Sequence, residues 1–169
     1  MAMGFCRVIQ KTPERVARFF VNELFYGLNY NNFPKITFNH NQYGYQEPVI
    51  SKNISFKSTC EHHLVTISGE AFIAYIPKDN VIGLSKINRV VNFFARRPQV
   101  QERLTTQIAD ALVEILKPMG VIVIIDCEHL CMSMRGVRKS EARTVTSAVR
   151  GILRDAATRA EAISLITNR

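Results

Sequence analysis

The chain has 169 residues, 47% of them hydrophobic, and carries 22 Lys and Arg against 14 Asp and Glu, a net charge of +8. That composition supports one domain with a sizeable core and excludes a disordered chain. No apolar run approaches the ~20 residues of a membrane span, and the first residues lack a signal-peptide core, so the cytoplasm is the expected compartment. A basic surplus calls for an anionic partner, and since no block of five or more basic residues occurs, a polyphosphorylated small molecule competes with nucleic acid for that role.

Thr12-Pro13-Glu14-Arg15 opens a helix, with Thr12 as cap and Pro13 at the first position. Val16, Phe19, Phe20 and Leu24 fall on one face, and Gly27 ends it. Residues 28–49, rich in Asn, Tyr and Pro, read as connection. Ile50–Lys57 and Leu64–Ile76 are strands, the second with a turn or bulge at Ser68-Gly69. Ser85–Arg97 is a helix with Ile87, Val90, Val91 and Phe94 as its stripe. Pro98 breaks it and starts a third helix to about Lys117, closed by Pro118 and Gly120. Val121–Met134 and Thr144–Arg150 are strands, and Asp155–Ile166 is a terminal helix. Strands grouped in pairs between helices predict an antiparallel sheet with helices on one face, an α+β domain.

Four cysteines without an export signal point to metal before disulfides. In Cys60-Glu61-His62-His63, Cys60 and His63 have the two-residue spacing of a chelating pair. In Glu128-His129-Leu130-Cys131, strand alternation sets His129 and Cys131 on one face. Cys60, His63 and Cys131 make three ligands, the number a catalytic zinc takes alongside a water. His62 and His129 are then left beside the metal to titrate near neutrality. A structural site, closed by His62 or His129 as fourth ligand, is the alternative. Cys6 and Cys127 read as ordinary thiols.

Ser85, Lys86 and Arg89 stand at the start of the second helix, where cations oppose the macrodipole unless an anion sits there. Arg15 and Arg18 share one side of the first helix. Arg135 lies on the metal-facing side if the strand through Cys131 continues. Gln101 and Glu102 open the third helix, and a carboxylate there suits two N–H donors of a base edge, although on the residues alone a solvated helix face is the better explanation of the pair.

With these residues in place, the chain resembles the GTP cyclohydrolase I family. The matching strings are Thr12-Pro13-Glu14-Arg15, Phe33-Pro34-Lys35, Ser58-Thr59-Cys60-Glu61-His62-His63, Tyr75-Ile76-Pro77-Lys78, the run from Gly83 to Arg89, the run from Arg97 to Thr105, His129-Leu130-Cys131-Met132, Met134-Arg135-Gly136-Val137 and Thr144-Val145-Thr146-Ser147. The resemblance spans residues 11–166, so that 1–169 is expected to be a single domain with a short extension over 1–10.

It implies the tunnelling fold, an antiparallel sheet with two helices packed on one side plus N-terminal and C-terminal helices. It also implies sheets joined into a barrel, a homodecamer of two pentamers, and active sites between subunits. The implied reaction converts GTP to 7,8-dihydroneopterin triphosphate and formate. A zinc-activated water attacks guanine C8, the ring opens, an Amadori rearrangement follows, and the ring closes again. By resemblance, Cys60, His63 and Cys131 hold Zn2+, and His62, His129 and Ser85 are catalytic. Lys86, Arg89 and Arg135 contact the triphosphate and sugar, Arg15 and Arg18 reach the phosphates from a neighbouring subunit, and Gln101 and Glu102 recognise guanine. No nucleic acid or membrane partner is implied. The sequence departs from the family pattern in a short N-terminus, in Ser140-Glu141-Ala142, and in Cys127, an added thiol expected to be open to oxidation. A non-catalytic zinc- and nucleotide-binding relative and a basic nucleic-acid module are the competing readings; the latter lacks its clustered basic stripe.

Overall fold

The computed structural model describes residues 9–168; Cys6 lies outside them. The first helix, α1, covers Thr12–Phe19, with Lys11 rather than Thr12 as cap residue and Pro13 in the first turn. It loosens into a π turn at Phe20–Leu24 and 3₁₀ turns at Tyr26–Leu28 and Tyr30–Asn32. Gly27 serves close approach instead of helix termination: a Cβ there would lie 2.1 Å from the Phe93 carbonyl oxygen, and its N–H donates to Arg96 O at 2.9 Å. Arg97 donates to Gly27 O, its guanidinium 4.9 Å from the ring centres of Phe93 and Phe94 and 5.3 Å from that of Tyr30. This knot ties the N-terminal segment to the core. Beyond it α1 is exposed along its length, Val16 and Phe19 included.

The main sheet has the order β5-β2-β3-β6-β7, with β2 Val49–Cys60, β3 Thr66–Ile76, β5 Pro98–Gln99, β6 Gly120–His129 and β7 Thr144–Gly151. Neighbours are antiparallel except β5, which lies parallel to the end of β2 through Thr59 and Cys60. Helices α2 (Leu84–Ala95) and α3 (Gln101–Leu116) pack on one face. Val121, Val123, Ile125 and Cys127 of β6 point into that core, with Ile87, Val90, Leu104, Ile108 and Leu112 from the helices. Each such large aliphatic side chain contributes roughly 1.5–3 kcal/mol on burial. By alternation Ile122 points to the other face, with Ala74, Ile76 and Leu153, beneath Ala162 and Ile166 of α5 (Ala156–Thr167). Asp155 caps α5 through the N–H groups of Ala157 and Thr158. The α+β architecture is the expected one.

Four local expectations give way. The stretch read as connection contains β1 (Phe38–His40), paired with β4 (Asn80–Ile82). Ser68-Gly69 makes no bulge: both pair in regular register with Glu128 and Cys127, and the irregularity lies at Ser51–Ile54, where Asn53 has φ +54°. Pro98 does not start a helix; Pro98-Gln99 is extended and α3 begins at Gln101. The last long strand stops at His129, and one helical turn, α4 (Leu130–Ser133), follows.

Candidate metal and acid–base site

Cys60 ends β2 and Thr66 begins β3, so Glu61–Val65 forms the connecting loop. The loop is closed by Cys60 N–H to Val65 O at 2.8 Å and Leu64 N–H to Cys60 O at 2.9 Å, which requires Leu64 in the left-handed region at φ +53°. Glu61 N–H donates to Gln99 O at 3.0 Å, extending the β2–β5 pairing into the loop. Arg103 clamps the same corner. It donates to Gln99 Oε1 at 2.9 Å and Pro98 O at 3.0 Å, and forms an ion pair with Glu61. The guanidinium holds the Glu61 carboxyl below its ordinary pKa. Arg103 was not among the residues singled out from the sequence, because nothing local marks an Arg in a helix's first turn as the partner of a loop forty residues earlier.

That corner holds two of the three residues of the metal group. One ligand atom each from Cys60, His63 and Cys131 lies within 4.8 Å of the other two; among the described residues no other set of three or more His, Cys, Asp or Glu is so gathered. Zinc–sulfur bonds of about 2.3 Å and zinc–nitrogen bonds of about 2.0–2.1 Å in a tetrahedron need ligand edges of roughly 3.5–3.8 Å, so the three residues fit such an ion. Cys60 is buried, Cys131 half-buried and His63 exposed, leaving the group open on the solvent side. Cys131 arrives there by a different route from the one its spacing suggested. The chain turns at His129, and α4 presents the thiol. Burial and the adjacent Cys60 push the Cys131 thiol up, with Arg135 opposing.

Neither histidine beside the group joins it. His62 is exposed, its Nδ1 3.7 Å from Cys60 Sγ and its Nε2 4.0 Å from Glu61. His129, on the last residue of β6, sets Nε2 2.7 Å from Gln101 Oε1. Burial lowers its pKa, against the opposing charge of Glu102. Glu102 is exposed, whereas the Gln101 side chain expected to read a base edge is turned inward and buried.

One end of the sheet thus gathers Cys60, His62, His63, His129, Cys131, Gln101, Glu102 and Arg135. Ser85, Lys86 and Arg89 are elsewhere. They stand in the first turns of α2, after β4, whereas the other end of α2 meets the metal end of β2 through Ser58 Oγ to Ala95 O at 2.7 Å. Twelve helical residues put about 16 Å between those ends. Gly83 caps α2 with extended backbone and no side-chain acceptor. Arg15 and Arg18 lie on exposed α1, Arg18 paired with Glu14.

Comparison with known proteins identifies the family. The family model for GTP cyclohydrolase I matches residues 6–167. The GTP cyclohydrolase 1 of Streptomyces coelicolor is 56% identical over 163 residues, which cover 95% of this chain and 80% of that one. Its namesake from Bifidobacterium longum is 57% identical over 160 residues, 94% of this chain and 79% of that one. Among solved structures, archaeosine synthase QueF-Like in the apo form aligns with a TM-score of 0.53 at 18% identity, over 62% of this chain and 94% of that one; the likeness is one of fold, and supports the tunnelling fold expected. By the extent of the family match and the identity of these relatives, the chain belongs to the GTP cyclohydrolase I family.

Proposed function

We propose that this protein converts GTP to 7,8-dihydroneopterin triphosphate and formate, with Cys60, His63 and Cys131 holding zinc. The observation that supports the reading is the gathering of Cys60, His63 and Cys131 within reach of one ion, with His62 Nδ1 3.7 Å from Cys60 Sγ and His129 two residues before Cys131. When bound, zinc supplies a Lewis acid that makes water a nucleophile near neutral pH.

The chain's own residues supply the rest. Glu102, exposed at the start of α3, offers a carboxylate to the N–H donors of the guanine edge. His62 or His129, in its protonated form, gives a proton to guanine N7, which makes C8 electrophilic. Water adds at C8, the imidazole ring opens, and a second hydrolysis releases formate. Ser85 and a histidine then move protons during ribose opening and the Amadori rearrangement, before ring closure with loss of water. Arg135, close enough to Cys131 to act on its thiol, faces the sugar and phosphates. Lys86 and Arg89, with the free N–H groups of the α2 N-terminus, hold the triphosphate.

Since those groups and the metal group stand at opposite ends of α2 in one chain, the complete site forms between copies. Arg15 and Arg18 come from a further neighbour through α1. The outer edge of β7 and the β2 edge before Thr59 have no strand partner among the described residues, as a barrel of joined sheets requires. A homodecamer of two pentamers is the assembly proposed. The cytoplasm is the proposed compartment; no described helix is long and apolar enough to cross a membrane. The test is incubation with GTP and zinc, following formate and pterin fluorescence together. Equal amounts of both support the reading, and neither product from metal-loaded protein rejects it in favour of a non-catalytic relative.

A further inference from the structure

His129 and Gln101 meet at 2.7 Å, Nε2 to Oε1, and the rest of the Gln101 side chain decides which way that bond runs. The amide nitrogen lies 3.1 Å from Ile125 O, 2.8 Å from Thr144 O and 3.1 Å from Thr146 Oγ1. Carbonyl oxygens only accept, so the two of them identify that end of the amide as the NH₂ group. The reversed amide would set oxygen against oxygen in a site where Gln101 is 2% exposed.

The neighbouring hydroxyls agree. Thr105, one turn along α3, donates its single proton to Gln101 O at 2.7 Å. Thr146 therefore donates to Thr105 across 2.6 Å and keeps its lone pairs for the Gln101 amide. Oε1 has nothing but lone pairs to offer, so the imidazole nitrogen facing it carries the proton. The frame that enforces this is rigid, built from the first turn of α3 and the paired strands β6 and β7. His129 itself stands at the last pair of β6 with β3, opposite Ile67, where the ladder no longer fixes its ring.

We propose that Gln101 is a positioning residue that locks His129 as the Nε2–H tautomer and leaves Nδ1 as the lone-pair nitrogen of the ring. This deepens, and rests on, the reading of His129 as an acid–base group. It also separates the two residues of the expected guanine pair: the Gln101 amide serves the histidine, and Glu102 is the one whose side chain faces solvent.

The direct test is ¹⁵N NMR of the imidazoles in the zinc-loaded full-length protein at about pH 8, above the ordinary histidine pKa of about 6.5. The chain has four histidines, and a His129→Gln sample assigns the signal. A pyridine-type Nδ1 and pyrrole-type Nε2 at His129 are expected; a protonated Nδ1 overturns the proposal. In Gln101→Met the ring is expected to become a tautomer mixture. Its kcat should fall by roughly 30–100-fold, less than the loss of the acid–base group itself would cost, with KM for GTP within about threefold. An unchanged tautomer or kcat in Gln101→Met overturns the proposal, as does a rise in KM alone. If the wild type releases no formate, the functional reading fails, yet the ring spectrum still decides what Gln101 does; if Gln101→Met does not fold, the wild-type spectrum decides alone.

Discussion

A Cβ placed on Gly69 would sit 2.4 Å from the Sγ of Cys127, its partner across the β3–β6 ladder, and 2.2 Å from the main-chain oxygen of Asp126. The glycine is there because the strands approach closely, and the cysteine fills the space it leaves. Gly69→Ala is therefore expected to destabilise by about 1–3 kcal/mol, the range of overpacked core sites. Adding Cys127→Ala should not rescue it, since the Asp126 oxygen remains. Denaturant unfolding of the single and double variants checks this; recovery of full stability in the double variant would place the clash on sulfur alone.

The same burial settles the reactivity of Cys127. It was expected to be open to oxidation, but the side chain is fully enclosed and burial pushes its thiol up to about 12, with Asp126 adding to the shift. Thiolate is the reactive form, so Cys127 should resist alkylation of the native protein and react only on unfolding, as mass spectrometry of a time course would show.

The sequence was most legible where a pattern repeats. Ile87, Val90, Val91 and Phe94 announce α2, and Val121–Ile125 announces β6, because period and run length carry that information. Three-residue strands such as β1 and β4 have no period to read. The group Cys60, His63 and Cys131 was recoverable from two short motifs, although for Cys131 the geometry assumed was wrong: a continuing strand and a helical turn place residue 131 differently, and no local signal at Leu130 distinguishes them. Arg103 and the inward turn of Gln101 were illegible, since both depend on partners some 25 to 45 positions away in the chain.

Arg103 gives the next prediction. It holds the loop between Cys60 and His63 through Glu61, Gln99 and Pro98. Groups that orient ligands typically change metal affinity by 10–100-fold when removed. Arg103→Met should weaken zinc binding by about tenfold in chelator competition, with little loss of helix content. The pH dependence follows from Glu61. Its folded pKa is depressed, so the clamp is intact above the unfolded carboxylate value of about 4.3 and is lost as pH falls through the lower folded value. In Glu61→Gln that acid-dependent component should disappear.

Metal uptake should release protons. Burial and Cys60 keep the Cys131 thiol above its ordinary value of about 8.5 in the metal-free chain, while a zinc ligand must be thiolate. Roughly one proton or more per zinc is expected in weakly buffered solution near neutral pH, with affinity rising with pH. Cys131→Ser should lower both the proton yield and the affinity, and uptake without proton release would remove Cys131 from the ligand set.

The separation of Lys86 from the metal end predicts complementation between subunits. His129→Ala should block formate release or pterin formation while zinc stays bound, and Lys86→Ala should weaken GTP binding. Mixing the two after dissociation and reassembly should restore part of the activity, because some interfaces then combine an intact metal end with an intact phosphate end. Mixed assemblies no more active than their components would place the whole site within one chain, and wild-type rates in His129→Ala would take that residue out of the mechanism.

The central claim is that Cys60, His63 and Cys131 share one ion and leave it a position for water. Zinc-edge X-ray absorption of the loaded full-length protein tests it most directly. Two sulfur ligands at about 2.3 Å, one imidazole nitrogen at about 2.0–2.1 Å and one further light atom that exchanges with solvent are expected. A second imidazole in the shell, lost on replacing His62 or His129, would show a closed structural site and contradict it.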